Sequence, residues 1–114
     1  MDFQIVYASQ LEQLLRESRG LLIDIRESED YNAGHWPGAI NYPYEMFESN
    51  HLRLPRNRKI ILYCEHGGGS MQIARRLGRE GYRVATVVGG YEALKKVQEP
   101  ISKIVGMCNN REEY

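Results

Sequence analysis

Cys64 closes an apolar run, Lys59-Ile60-Ile61-Leu62-Tyr63, and is followed by Glu65-His66-Gly67-Gly68-Gly69 before helical spacing begins at Ser70. A run rich in β-branched and aromatic residues that stops at glycines and restarts with helical periodicity reads as strand, tight loop and helix N-terminus. A sulfur at that point meets backbone N–H groups with no partner inside the helix and faces the positive end of its dipole. Both effects favour the thiolate, the nucleophilic form of cysteine. Cys64 is therefore the candidate nucleophile or sulfur carrier, set against the alternative of a buried thiol acting as a small hydrophobe. The triple glycine tips the choice. Glycine costs backbone entropy, and a run of three is useful where positive φ or close approach of backbone to a ligand is required. Successive N–H groups in such a turn converge into an anion-binding nest.

Other residues with chemistry to offer surround this point. His66 lies two residues after the sulfur; as an imidazolium it would stabilise a thiolate, and it equally well points to solvent. Ser70 is read as the cap of the following helix, with its hydroxyl free to reach toward the sulfur as well. Asp24 and Arg26 stand at the carboxyl end of another apolar run and read first as a local ion pair that fixes the next loop. His35, beside Gly34, reads as a hydrogen-bonding brace before it reads as a base. Trp36, Tyr42 and Tyr44 are candidates for the mouth of a pocket or for ordinary packing. Arg75, Arg76 and Arg79 read as a solvated helix face, and Cys108 as an incidental thiol.

The elements that must position these residues follow from periodicity. Phe3 to Tyr7 reads as a short first strand. Ser9 with Glu12 forms a capping-box pattern for a helix whose apolar face is Leu11, Leu14 and Leu15, ended by Gly20. Leu21 to Ile25 is a nearly continuous apolar run, as a strand buried on both faces requires. Ser28 reads as the cap of a short helical turn; Gly34 to Gly38 is loop, Ala39 to Tyr42 a short strand and Tyr44 to Ser49 a helix. Leu52 to Arg58, with Pro55, reads as connecting loop. After the Cys64 strand, the helix from Ser70 places Met71, Ile73, Ala74, Leu77 and Gly78 inward and ends at Gly81. Val84 to Val88 is the last strand, and Gly89-Gly90 turns into a helix from Tyr91 to about Gln98, closed by Pro100. Strands alternating with helices predict an α/β architecture with a parallel sheet. In such sheets the ligand site lies beyond the carboxyl ends of the strands, which is where Cys64 falls.

The 114 residues suit one domain. Fifteen basic and fifteen acidic residues cancel, so no long-range field favours nucleic acid or an anionic membrane. No apolar stretch approaches the ~20 residues of a membrane span. Met1-Asp2-Phe3-Gln4 lacks the basic and apolar regions of a signal peptide. Two cysteines without framework spacing make a reducing, cytoplasmic setting the expectation.

Leu22-Ile23-Asp24-Ile25-Arg26, Asp30-Tyr31, Gly34-His35-Trp36-Pro37-Gly38-Ala39-Ile40-Asn41, the strand into Cys64, and Gly89-Gly90-Tyr91 together resemble the rhodanese domain, a single-domain sulfurtransferase family. The match runs in order through about residues 3–98. It implies a rhodanese-like domain over residues 1–100, with a central parallel five-stranded sheet flanked by helices on both faces, and a C-terminal tail, 101–114, that is partly ordered at most. It further implies a sulfurtransferase cycle. Cys64 would take sulfane sulfur from a small donor, hold it as a persulfide, and pass it to a thiol or cyanide. Glu65, His66, Gly67, Gly68, Gly69 and Ser70 would cradle that persulfide, with Asp24, Arg26 and His35 in support. Neither a metal nor an organic cofactor is implied.

The loop departs from the family in one respect. Many active members carry a basic residue at the second loop position and often another at the sixth, where this chain has Glu65 and Gly69. A carboxylate beside the nucleophile disfavours the thiolate and repels anionic donors. The expectation is a poor response to thiosulfate and a better fit to a persulfide donor, including one on a partner protein. The alternative is a non-catalytic or weakly catalytic module that keeps the fold for protein contacts. A cysteine phosphatase or arsenate reductase would want an arginine closing a C-x5-R loop, and position 70 is Ser. A redox pair of Cys64 with Cys108 has no support from spacing.

Overall fold

The computed structural model describes residues 3–48 and 53–98. The expected tail, 101–114 with Cys108, lies outside the described residues, as do Ser49, Leu52 and Pro100. Five strands, β1 (Gln4–Val6), β2 (Leu21–Asp24), β3 (Ile40–Asn41), β4 (Ile60–Tyr63) and β5 (Val84–Val87), form one parallel sheet in the order β1-β5-β4-β2-β3. Five helices connect or cover them: α1 (Leu11–Ser18), α2 (Ser28–Ala33), α3 (Tyr44–Glu48), α4 (Gly68–Arg79) and α5 (residues 90–98).

The central strands β2, β4 and β5 are largely apolar because both faces of the sheet are covered there. All four residues of the central β4 are fully buried. Alternation then divides the core. Ile60, Leu62, Ile23 and Val84 pack on one face with Phe47 of α3 and Ile73, Ala74 and Leu77 of α4. Ile61, Tyr63, Leu22, Ala85 and Val87 pack on the other with Leu11 of α1 and Leu94 of α5.

The ends of α1 and α2 differ from their sequence reading. The chain enters α1 through a 3-10 turn, Ala8–Gln10, and the side-chain oxygen of Gln10 accepts from Tyr7 N–H at 2.8 Å, so Ser9 does not act as the cap. Arg19, not Gly20, takes the left-handed conformation that ends α1, at φ 51°. Gly20 sits where space is tight: a Cβ there would stand 2.6 Å from Ile61 Cδ1, which would have to shift, and 3.1 Å from the Lys59 carbonyl. Likewise Ser28 lies inside α2, whose N-cap is Glu27.

The strand order creates the site. From β2 the chain runs outward to the edge strand β3, whereas from β4 it runs the other way, to β5. β2 and β4 are neighbours in register, Asp24 opposite Tyr63. Their carboxyl ends therefore flank a topological switch point, where diverging connections leave a crevice. Asp24, Arg26 and Cys64 emerge there.

Candidate active site

Cys64 follows β4 directly, and the next residues curl around its sulfur. Gly67 N–H donates to Sγ at 2.9 Å and Ser70 N–H at 3.4 Å, with Ser70 Oγ 3.6 Å away. The sulfur is half-buried. Gly67 reaches this position at φ 106°, and a Cβ on it would press 3.2 Å from Gly89 N. This is the positive φ that the glycine run foretold. Gly68 and Gly69 have neither requirement: a Cβ on Gly68 meets open space, and one on Gly69 meets Tyr44 and Ile25 at ordinary contact distances. Helix α4 begins at Gly68 with Gly67 as its N-cap, two residues before the expected start. Ser70 is thus in the first turn, fully buried, its hydroxyl donating to Gly67 O at 3.2 Å and standing 2.6 Å from Thr86 Oγ1.

A second element holds the loop from behind. At the start of α5, Tyr91 N–H donates to Cys64 O at 2.7 Å and Glu92 N–H to Glu65 O at 3.2 Å. Gly90, at φ 60°, lets the two backbones touch: a Cβ there would collide with the carbonyls of Cys64 and Glu65. The Gly89-Gly90 pair, read in sequence only as a turn, is what allows α5 to dock on the Cys64 peptide.

Asp24 and Arg26 form the expected ion pair, deeply buried. Arg26 Nε and Nη2 fork onto the Asp24 carboxylate, with Nη2 to Oδ2 at 2.7 Å. The guanidinium also donates to Gly34 O at 2.6 Å and stacks 4.1 Å above the Tyr91 ring. Burial works against its charge, but the fork to Asp24 outweighs that cost and holds Arg26 more firmly protonated than a free arginine. Its remaining edge, Nη1, reaches Glu65 Oε1 at 3.2 Å. The carboxylate expected to disturb the thiolate is thereby engaged with a cation. A cleft of about 280 Å³, lined by Arg26, Asp30, Gly34, Glu65, Tyr91 and Lys95, opens on this side of the loop.

The remaining candidates divide. His35 is a brace: its Nδ1 donates to Tyr31 O at 2.8 Å and its ring stacks on Tyr31. His66 is exposed. Tyr44 lies over Gly69, with its hydroxyl 2.9 Å from Gln72 Oε1. Trp36 lines a different cleft, with Ala8, Glu12, Pro37 and Val97. Two contributors had no role assigned from sequence. Asn41 Nδ2 ties together Asp24 O at 2.9 Å and Arg26 O at 3.0 Å, fixing the turn at the end of β2. Tyr63 presents its hydroxyl to Trp36 N–H at 3.1 Å, and burial, aided by Asp24, pushes its pKa upward. Among the described residues no group of three His, Cys, Asp or Glu side chains is placed to hold a metal ion. No helix among them is long and apolar enough to cross a membrane.

Comparison with known proteins adds independent information. Residues 7–97 match the family model of the rhodanese-like domain. A tRNA sulfurtransferase of Desulfurococcus amylolyticus is 33% identical over 84 residues, 74% of this chain and 16% of that protein. The chain thus spans about a sixth of that curated relative's length. A rhodanese homolog of Thermus thermophilus superposes with a TM-score of 0.68 at 33% identity, covering 80% of this chain and all of the other. A human single-domain sulfurtransferase does so with a TM-score of 0.64 at 27% identity, covering 81% of this chain and 95% of the other.

Proposed function

The chain belongs to the rhodanese-like domain family, and from that premise we propose that it is a sulfurtransferase carrying sulfane sulfur on Cys64. The observation that carries this reading is the convergence of the Gly67 and Ser70 N–H groups on Sγ at the start of α4. An array of fixed dipoles suits a sulfur that is anionic as nucleophile and again as leaving group. In the first half-cycle the Cys64 thiolate attacks the outer sulfur of a donor persulfide. The donor's S–S bond breaks, its thiolate leaves with the electron pair, and Cys64 holds a persulfide. In the second, an acceptor thiolate or cyanide attacks that outer sulfur and the Cys64 thiolate departs. Charge and electrons balance in both, and the cycle needs neither metal nor organic cofactor.

The donors that reach Sγ are uncharged, and a carboxylate stands one residue away. A doubly charged donor such as thiosulfate meets a carboxylate and no lysine or arginine within the loop, residues 65–70, and Arg26 beside it is already paired with Asp24 and Glu65, so we place the physiological donor among persulfides, small or borne by a partner protein. Balanced charge gives the chain no general attraction for RNA or membranes. A free thiol of this kind suits a reducing compartment such as the cytoplasm. The acidic Glu65 favours one competitor, a module that keeps the fold for protein contacts without turnover.

Intact mass after incubation with glutathione persulfide and, separately, thiosulfate decides between them. The sulfurtransferase gains one sulfur from the persulfide donor, loses it to cyanide or a thiol, and gains none as Cys64→Ser. A folded, reduced wild-type protein that gains sulfur from neither donor is the interaction module.

A further inference from the structure

Thr86 is a hydroxyl placed where the sheet needs none. It lies in β5 between Ala85 and Val87, 1% exposed, opposite Leu62 of the fully buried β4 and Ile5 of β1. A valine would fill the same volume in a strand whose other members are Val84, Ala85 and Val87. Its Oγ1 lies 2.6 Å from Ser70 Oγ, and Ser70 Oγ lies 3.6 Å from the nucleophilic sulfur. We propose that Thr86 is a positioning residue for the sulfur-transfer reaction: its hydroxyl donates into Ser70 Oγ and leaves the Ser70 proton only two places to go, Gly67 O and the Cys64 sulfur.

The proton count supports the assignment. With Cys64 as a thiol, Sγ–H donates to Ser70 Oγ, Ser70 donates to Gly67 O at 3.2 Å, and Thr86 donates to Ser70. When Cys64 is a thiolate it can only accept, and the Ser70 hydroxyl turns from Gly67 O to Sγ. That turn strands no buried acceptor, because Gly67 O keeps the Met71 N–H at 3.2 Å. Thr86 remains a donor throughout, and a hydroxyl that accepts one hydrogen bond is a stronger donor of the next. In the loaded state Sγ is a neutral sulfur and a weak acceptor. It becomes a thiolate as the S–S bond breaks during discharge, so the Thr86–Ser70 relay acts most strongly on that departure.

The consequence for discharge rests on the proposed sulfurtransferase reading, but the first test does not. Iodoacetamide alkylation of reduced protein at neutral pH, in a Cys108→Ser background, reads the reactivity of Cys64 with no sulfur donor present. Thr86→Val is expected to slow it roughly three- to tenfold, the effect of one lost hydrogen bond between neutral groups. Thr86→Ser, which keeps the hydroxyl, is expected to return it to within about twofold of wild type. Ser70→Ala is expected to slow alkylation similarly, and adding Thr86→Val to it to change little further. Discharge of persulfide-loaded Thr86→Val to glutathione is expected to slow by a similar factor. The proposal is overturned if Thr86→Val alkylates like wild type, if Thr86→Ser is as slow as Thr86→Val, or if Thr86→Val slows a protein already lacking the Ser70 hydroxyl. A wild-type protein that never loads sulfur defeats the sulfurtransferase reading alone and leaves the alkylation result to judge Thr86.

Discussion

Glu65 accepts from Arg26 Nη1 at 3.2 Å while the same guanidinium forks onto Asp24 at 2.7 Å. One cation thus serves two carboxylates of very different standing, since the Asp24 side chain is fully buried and that of Glu65 is 40% exposed. The inner pair is structural. The outer contact draws the loop's acidic residue onto a cation and so reconciles a carboxylate at position 65 with the role proposed for Cys64.

Neutralising the outer carboxylate should change donor preference more than stability. Glu65→Gln keeps the shape and removes a negative charge near the path of an anionic donor. Turnover with thiosulfate is expected to rise about three- to tenfold at low salt, and the gain to shrink as ionic strength increases. Turnover with a persulfide donor should change less than about twofold, and stability by about 1 kcal/mol at most, because Arg26 keeps its main counter-charge in Asp24. Steady-state rates with both donors across a salt series check this. An equal gain with both would show that charge at position 65 does not select the donor.

The inner pair should behave in the opposite way. Asp24→Ala leaves the Arg26 guanidinium buried against Tyr91 without its main counter-charge, and is expected to cost about 3–5 kcal/mol in urea unfolding. Asp24→Asn keeps the volume but also loses the charge, and should cost most of the same amount. A loss below ~1 kcal/mol for Asp24→Ala would mean that Glu65 alone compensates Arg26.

What the sequence revealed and what it hid separate along a physical line. The Cys64 loop was legible because its signals are local: an apolar strand, a glycine for positive φ at Gly67, and helical spacing after it. Asp24 and Arg26 were legible as a pair because a single residue, Ile25, separates them. Thr86 was not, because a threonine in a β-strand is unremarkable until the fold sets Ser70 beside it, 16 residues away in the chain. Gly20 reads as a helix stop, whereas the structure crowds it between Ile61, Ser18 and the Lys59 carbonyl, contacts that only the fold creates. Gly68 and Gly69 were grouped with Gly67 because adjacency cannot show which of three glycines carries the strained conformation.

A glycine that a close approach requires and one that it does not are told apart by a pair of alanines. Gly68→Ala places a methyl group in open space on the first turn of α4 and should be neutral or stabilising by about 0.5–1 kcal/mol. Gly90→Ala adds left-handed strain and drives a methyl group into the carbonyls of Cys64 and Glu65. It is expected to cost at least ~2–4 kcal/mol and to reduce Cys64 reactivity in whatever fraction stays folded. Chemical unfolding of both variants decides it, and similar stabilities would refute the close docking of α5 on the loop.

Tyr63 is expected to contribute to the loss of stability at alkaline pH. Its side chain is fully buried, its hydroxyl accepts from Trp36 N–H, and its pKa is pushed above the ordinary tyrosine value, first by burial and then by Asp24. The native protein therefore keeps this proton at pH values where the unfolded chain, titrating near pH 10, has released it. Above that pH the folded state binds more protons than the unfolded state, so stability must fall as pH rises, by about 1.4 kcal/mol per unit from this group alone. Below about pH 9 the contribution is constant. Tyr63→Phe removes the titrating group and leaves Trp36 N–H without its acceptor. The variant should be about 1–3 kcal/mol less stable at neutral pH, yet show a shallower decline between about pH 10 and 11.5. Urea midpoints of the two proteins across that range test both parts at once. Parallel alkaline limbs would mean that the Tyr63 phenol ionises in the folded protein as readily as in the unfolded chain, and that the crevice behind Asp24 is wetter than its packing implies.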